Sequence, residues 1–146
     1  MTKVFDCAVR LLSRREHSAL ELSLKLESKG FNQVQVQETL KTCQELGLQS
    51  DQRFAESYCH SRIRRGYGPL KIHQELKHKG LSAELVTHVL KQEEDRWLEH
   101  ALRVWQKKAK KQETWSLLER QKQQRFLLYR GFDSEIISKV VEELYG

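Results

Sequence analysis

Apolar residues recur at helical spacing along almost the whole chain. The first stripe runs at i, i+3, i+4 and i+7 through Val4, Cys7, Ala8 and Leu11, which is one face of an amphipathic helix. The same spacing restarts after each short polar break and continues through the last residues, where Val140 belongs to the final stripe. This pattern predicts an all-α chain of about nine short helices.

Helix boundaries can be placed at a few residues with strong local preferences. Ser18, with Glu21 three residues later, has the form of a capping box, and Asp51 is a favourable N-cap for the fourth helix. Pro69 suits the first position of the fifth helix, where its missing N–H does no harm. The preceding Gly66 and Gly68 then belong to a helix–helix turn, because no strand precedes them as a phosphate-binding loop would require.

The helices follow one repeated pattern, anchored on Gly30, Gly80 and Gly131, which lie 50 and 51 residues apart. In each copy a leucine stands four residues before the glycine and a basic residue one before it. Apolar residues stand one and ten residues after the glycine, and a β-branched residue stands six after it. The three glycines are predicted to be left-handed helix caps.

Repetition at this period predicts three tandem three-helix repeats, covering residues 1–48, 49–95 and 96–146. A unit of this size has too small a core to be stable alone, so neighbouring units should bury their mutual faces. We therefore expect the repeats to stack into an elongated, curved body.

Composition narrows the classes of protein that remain. Among 146 residues 38% are hydrophobic, with no long apolar run and no apolar N-terminal leader, which excludes a transmembrane helix and a secretion signal. Three widely spaced cysteines and six scattered histidines predict reduced thiols, no metal site and no cofactor. Since no nucleophile–base pair or carboxylate pair stands out, we expect a cytoplasmic protein that is not an enzyme.

Charge is the feature that suggests a partner. The net charge of +6 is concentrated in residues 60–80, with six Lys and Arg against Glu75, and in 103–125, with eight against two acidic residues. Such clusters attract phosphates or an acidic protein face, although solvated helix faces are the alternative. Glu75 is expected to pair within its helix with Lys71 or Lys79. The candidate basic surface consists of Arg62, Arg64, Arg65, Lys71, Lys77, Lys79, Lys107, Lys108, Lys110 and Lys111.

Tryptophan could add stacking on bases to these charges. Trp97, Trp105 and Trp115 stand at helical spacing, however, and at that spacing tryptophan is more often part of a core. We therefore predict core positions for all three.

Several motifs resemble the RecX family. The segment from Arg14 to Leu22, continuing to Lys29-Gly30, resembles its first-repeat signature. The run Asp51-Gln52-Arg53-Phe54-Ala55 and the segment 66–80, with Gly66-Tyr67-Gly68-Pro69, resemble its second repeat. The third repeat matches only in periodicity and in Gly131.

This resemblance implies tandem three-helix repeats and a regulator, mainly an inhibitor, of the RecA recombinase. Such a protein binds the RecA–DNA filament, limits its extension or promotes its disassembly, and so damps ATPase, strand exchange and coprotease activity. It implies a role in DNA repair, recombination and the SOS response, without catalytic residues or a cofactor. We expect a monomer that contacts the RecA nucleoprotein filament and that contacts DNA without sequence specificity. We expect no membrane partner.

A rival interpretation is a helix-turn-helix-like DNA-binding protein that acts without RecA. The last two helices of each repeat resemble that arrangement, and the helix after Asn32 carries Gln33, Gln35 and Gln37. The helix after Ser82 instead carries Ala83, Glu84 and Thr87 where base-reading residues would stand, which disfavours major-groove readout. A helical scaffold with no nucleic-acid partner is a third possibility.

Overall fold

The computed structural model describes residues 2–109 and 115–146, and within these ranges the chain is entirely helical. A single 3₁₀ turn, Glu94–Arg96, joins α6 to α7. Because the described residues contain no strand, the predicted all-α class is confirmed. The α-helices are α1 Lys3–Arg14, α2 Ala19–Ser28, α3 Gln33–Glu45, α4 Asp51–Arg64, α5 Pro69–His78, α6 Ala83–Lys91, α7 Trp97–Ala109, α8 Leu117–Tyr129 and α9 Ser134–Tyr145.

Capping boxes begin three of these helices. At α2 the Ser18 hydroxyl accepts a hydrogen bond from the Glu21 N–H, and the Glu21 carboxylate accepts one from the Ser18 N–H, each at 3.1 Å. The predicted box is thereby confirmed. Asn32 and Ser116 build boxes of the same kind at α3 and α8, and these satisfy N–H groups that a helix start leaves without intrahelical partners.

The prediction that Asp51 caps α4 is wrong. Ser50 takes that position, and its hydroxyl accepts from the Arg53 N–H at 3.2 Å. The Asp51 carboxylate instead accepts from the Ala19 N–H at 2.8 Å and from the Gln49 side-chain amide at 3.0 Å. Ser and Asp are comparable caps, and the distant N–H of α2 decided which of the two neighbours took that role.

The chain divides into two compact units, each with its own core. The first unit contains residues 2–58 and 76–86. Helices α1, α2 and α3 supply an apolar cluster there, and burial of such side chains is the main driving force for their packing. This core consists of Val4, Cys7, Ala8, Leu22, Leu26, Val36, Leu40 and Cys43.

The second unit contains residues 59–75 and 87–146, so α4, α5 and α6 each contribute to both units. Its helix α7 packs against α8 and α9. The prediction that tryptophans belong to the core is confirmed for Trp97 and Trp105, which are both buried, whereas Trp115 is half-buried and stacks on Trp105. The other buried apolar residues of this unit are Cys59, Ile63, Ile72, Val89, Ala101, Leu127, Phe132, Ile137 and Val140.

Two glycines meet in a tight backbone crossing inside the second unit. The Gly68 N–H donates to the Arg130 carbonyl at 2.8 Å, and the Leu70 N–H donates to the Gly131 carbonyl at 2.9 Å. A Cβ atom on Gly68 would lie 2.5 Å from the Gly131 carbonyl carbon, and one on Gly131 would lie 2.5 Å from the Lys71 Cβ. Only glycine permits this approach, which holds the end of α8 against the α4–α5 turn.

Candidate anion-binding cleft

A cleft of about 530 Å³ lies in the second unit, lined by residues from α4, α7, α8 and the turns that follow α4 and α8. Ile63, Val104 and Phe126 form apolar parts of its wall. Arg64 ends α4 and Arg65 follows it, while α7 contributes Arg103 and, one helical turn later, Lys107 and Lys108. The cationic side chains that line the cleft are Arg64, Arg65, Arg103, Lys107, Lys108 and Arg130.

Aromatic rings hold two of these cations in place. The Lys108 ammonium lies 3.6 Å from the Phe126 ring centroid. The Arg130 guanidinium lies against two rings, 4.8 Å from the Phe126 centroid and 4.6 Å from that of Tyr67. Its Nη1 also donates to the Arg65 carbonyl at 2.9 Å. Cation–π contacts orient a charge without neutralising it, so these cations keep their full positive charge.

Carboxylates take little part in the cleft. Among the described residues none lines it, and Arg64, Arg65, Lys107 and Lys108 make no ion pair with a described carboxylate. Arg103 has a partner in Glu99 at 4.0 Å, but both side chains are more than half exposed and such a pair contributes little. The electrostatic potential of the cleft is therefore strongly positive.

Arg62 is engaged differently from its neighbours Arg64 and Arg65. Its Nε and Nη2 donate to the two carboxylate oxygens of Glu75 at 2.9 and 2.8 Å, and its guanidinium lies 3.7 Å from the Tyr67 ring centroid. The side chain is only 18% exposed. Glu75 thus has a structural role, as expected, but this bidentate partner comes from α4 rather than from its own helix.

The remaining predicted cations lie elsewhere. The Lys71 ammonium is 5.0 Å from the Tyr129 ring centroid, and Lys77 is exposed on α5 in the first unit. Lys79 donates to Glu21 at 3.1 Å, also within the first unit. Lys110 and Lys111 lie outside the described residues. Of the ten predicted cations, the structure therefore brings Arg64, Arg65, Lys107 and Lys108 together in one cleft.

In the first unit, charges form a compact network around Glu21. Arg15 donates to both carboxylate oxygens, at 3.2 and 3.1 Å, and Lys79 donates to one of them. Burial alone would raise the pKa of Glu21, but the hydrogen bonds from Arg15, the Ser18 N–H and Lys79 outweigh it and lower this pKa to about 2. Hydrogen bonds to the charged form have this effect. The carboxylate is therefore ionised throughout the physiological pH range.

His17 is buried beside this network. Its Nε2 lies 2.9 Å from the Lys25 ammonium and its Nδ1 lies 3.0 Å from the Arg15 carbonyl. Since an ammonium only donates, Nε2 must accept and Nδ1 must carry the proton that reaches the carbonyl. Burial lowers the pKa of His17, and the nearby Arg15 and Lys25 charges act in the same direction.

The three predicted cap glycines have left-handed backbone angles, with φ of +96° at Gly30, +84° at Gly80 and +102° at Gly131. Their surroundings differ. A Cβ on Gly30 would meet no described atom within 4 Å, whereas one on Gly80 would lie 2.7 Å from the Leu20 Cβ. Gly131 lies in close contact with Lys71. All three glycines allow the left-handed helix end, but only Gly80 and Gly131 also leave space for a neighbouring residue.

Arg103 and Arg130 are cleft residues that were missing from the predicted surface. Arg103 lies within the basic window 103–125. Arg130 is the basic residue that precedes the third repeat glycine, in the column that also holds Lys29 and Lys79. The signal that could have singled it out is arginine in place of lysine, since a guanidinium is the cation that packs best between aromatic faces.

Other chemistry has little support among the described residues. Cys7, Cys43 and Cys59 are buried free thiols, and burial raises the pKa of Cys59 to about 12, so it is not a thiolate nucleophile. In the described ranges no cluster of His, Cys, Asp and Glu side chains could hold a metal ion. No described helix is both long and apolar enough to cross a membrane.

Comparison with known proteins now identifies the family. Three family models match in order along the chain: the first three-helix domain of RecX at residues 5–43, the second at 50–90 and the third at 94–141. The chain belongs to the RecX family. Among named relatives, regulatory protein RecX of Legionella pneumophila (strain Corby) is 59% identical over 144 residues, which cover 99% of this chain and 96% of that protein.

More distant RecX proteins agree in sequence and in fold. Regulatory protein RecX of Haemophilus influenzae (strain PittEE) is 38% identical over an alignment that covers 94% of this chain and 91% of that protein. The crystal structure of RecX from Lactobacillus salivarius superposes with a TM-score of 0.84 at 25% identity, covering 97% of this chain and 94% of that one. The chain is thus a regulatory protein with three RecX three-helix domains, as its motifs had suggested.

Proposed function

We propose that this RecX-family protein regulates the RecA recombinase, mainly as an inhibitor. It binds the RecA–DNA filament and limits its extension or promotes its disassembly, which damps ATPase, strand exchange and coprotease activity. RecA as the target comes from the family resemblance of the sequence, and the regulatory role from the names of the relatives. It acts by binding alone, without catalytic residues or a cofactor, in the cytoplasm and within DNA repair, recombination and the SOS response.

The observation that best supports this proposal is the basic cleft of the second unit. A nucleoprotein filament presents a regular array of phosphates, and cations in one cleft attract such an array. Arg64, Arg65, Lys107 and Lys108 face the cleft without a described carboxylate partner. We assign the filament-facing surface to these four residues with Arg103 and Arg130, and give Arg62 and Lys79 structural roles.

RecA ATPase on single-stranded DNA, titrated with this protein at two salt concentrations, tests the function. A fall in ATPase at substoichiometric protein is expected, because one bound molecule would affect many filament subunits. The inhibition should weaken at the higher salt, since cation–phosphate contacts release counterions. Unchanged ATPase at every ratio would contradict the proposal.

A pair of double variants tests the surface. The double variant Arg64→Glu, Arg65→Glu should need at least ten times the wild-type protein concentration to reach the same inhibition. Its helicity, measured by circular dichroism, should stay unchanged. Lys122→Glu with Arg125→Glu is the matched control, because both residues are exposed on α8 and neither lines the cleft. Equal losses in the two double variants would show that overall charge matters and that the cleft does not.

A footprinting experiment distinguishes the helix-turn-helix alternative. The exposed residues of α6 include Ala83, Glu84 and Thr87, and a carboxylate there opposes sequence readout in the major groove. A footprint at a defined DNA sequence, formed without RecA, would favour that alternative.

A further inference from the structure

The guanidinium of Arg130 is unusually well fixed for a cation in a solvent-accessible cleft. Tyr67 and Phe126 lie on it at 4.6 and 4.8 Å, and the Arg65 carbonyl accepts from its Nη1 at 2.9 Å. Its backbone is fixed as well, because its carbonyl accepts from the Gly68 N–H within the glycine crossing. A side chain held in this way loses little further entropy when it binds a ligand.

None of these contacts neutralises the charge or uses the whole guanidinium fork. Among the described residues no carboxylate pairs with Arg130, and Nη1 is the only one of its three guanidinium nitrogens with a described hydrogen bond. Guanidinium forks match phosphate and carboxylate oxygens bidentately. Arg62 shows the contrasting case, since its Nε and Nη2 both donate to the Glu75 carboxylate.

The groups around Arg130 favour phosphate over a protein carboxylate. Lys107 and Lys108 supply ammonium charges from α7, and Arg64 and Arg65 approach from α4. Six cations in a cleft of about 530 Å³ suit a chain of closely spaced anions, and a phosphodiester backbone carries one on every nucleotide. A single strand is the better fit, because its phosphates can enter a narrow basic groove in succession.

The aromatic rings of the cleft do not act as base-stacking platforms in this arrangement. Lys108 lies 3.6 Å from the Phe126 centroid and Arg130 lies 4.8 Å from it, while Tyr67 is in contact with both Arg62 and Arg130. These rings hold cations, so binding should depend on phosphates and very little on base identity.

We propose that Arg130, held in contact with Tyr67 and Phe126, is the anchoring residue for a backbone phosphate of single-stranded nucleic acid in this cleft. Tyr67 is a positioning residue that acts through Arg130. This inference rests on the proposed function in one respect: it assigns the cleft to the DNA of the filament and not to the surface of RecA.

Binding of a fluorescein-labelled oligothymidine to the full chain, measured by anisotropy across a salt series, tests the anchor. Arg130→Gln should weaken binding about tenfold and reduce the slope of log affinity against log salt by about 0.7, the value for one lost contact to a single strand. Arg130→Lys should restore the slope but only part of the affinity, because lysine keeps the charge and loses the fork. Arg125→Gln, on α8 and outside the cleft, should change the affinity less than twofold.

Tyr67 variants test the positioning role. Tyr67→Phe keeps the ring and should bind like the wild type, whereas Tyr67→Leu should weaken binding severalfold at an unchanged salt slope, because no charge is removed. A purely structural role would instead make binding follow the melting temperature in both variants. If Arg130→Gln does not fold, Lys108→Gln tests the cleft instead, since Lys108 is exposed and its ammonium lies against the Phe126 ring.

Three results would overturn the inference: unchanged affinity in folded Arg130→Gln, equal losses in Arg130→Gln and Arg125→Gln, or competition by polyglutamate as effective as that by unlabelled oligothymidine. The last result would assign the cleft to an acidic protein surface. Failure of the RecA ATPase assay with intact, Arg130-dependent DNA binding would contradict the proposed function alone. Inhibition of RecA by Arg130→Gln as strong as by wild type, with normal DNA binding, would contradict this inference alone.

Discussion

In the first unit, Arg15 and Lys79 both donate hydrogen bonds to one carboxylate, that of Glu21. In the second unit, the charged groups of Lys108 and Arg130 lie against aromatic rings. The Glu21 side chain is only 11% exposed, and its network joins the start of α2 to the end of α5. The rings of the second unit orient their cations and leave the charge in place. The cations of the first unit are therefore paired with a carboxylate, whereas those of the second unit are left unneutralised, and we propose that the latter bind phosphate.

The number of basic residues in a sequence window does not tell how many of them lack a carboxylate partner in the folded protein. Arg62 and Arg64 are two residues apart on α4, yet the first is paired bidentately with Glu75 and the second lines the cleft. Residues two apart on a helix do not face the same direction. Which of them meets a carboxylate depends on the helix that packs alongside.

The largest expected effect on stability concerns glycines with a positive φ, and it depends on what surrounds each of them. Gly131→Ala should lower the free energy of unfolding by about 3 kcal/mol or more, because a positive φ is combined with clashes against Lys71. Gly30→Ala, with a similar φ but open space among the described atoms, should cost about 1 kcal/mol. Urea denaturation of both variants measures the difference. Equal costs would mean that the crossing in the second unit relaxes easily.

Glu21→Gln should have the next largest effect, about 2 kcal/mol of stability, because two cations lose a largely buried partner. Glu27→Gln is the matched control, since Glu27 is an exposed carboxylate on the same helix, and it should change stability by less than about 0.5 kcal/mol. Thermal and urea unfolding check both values. A loss in the control as large as in Glu21→Gln would remove the special role of this network.

The pH dependence of stability sharpens the same point. The folded pKa of Glu21 is about 2 against an ordinary value of 4.5, so its contribution is present above pH 4.5 and is lost as pH falls toward 2. The stability difference between wild type and Glu21→Gln should shrink over that interval. Burial lowers the pKa of His17 from 6.5, so a separate loss, shared by both proteins, begins as pH falls below 6.5. A difference that persists at pH 2 would contradict this assignment.

The smallest effect on stability is expected for cations of the cleft. Arg64→Gln should alter the free energy of unfolding by less than about 0.5 kcal/mol, because Arg64 has no ion pair with a described carboxylate. Arg62→Gln, two residues earlier, should cost about 1–2 kcal/mol through loss of the fork on Glu75. Differential scanning calorimetry compares the two. A greater cost for Arg64→Gln than for Arg62→Gln would reverse their assigned roles.

Periodicity and capping residues by themselves determined the helical class, the order of the helices, the Ser18 capping box and the core positions of Trp97 and Trp105. Helix formation and the capping box depend on contacts within a few residues, and the helical spacing of apolar residues marks the face that becomes buried, so the local pattern carries these features. The glycine column at residues 30, 80 and 131 was equally readable, because a left-handed helix end needs glycine whatever surrounds it.

Only the tertiary structure decided which charges are available. Asp51 met the N–H of Ala19 and left the cap of α4 to Ser50, and Glu75 received Arg62 from another helix. Arg130 gained part of its position from the Tyr67 ring, 63 residues away along the chain, whereas Phe126 stands one helical turn before it. Contacts between distant segments depend on how helices and turns pack side by side, and residue spacing along one helix does not encode them.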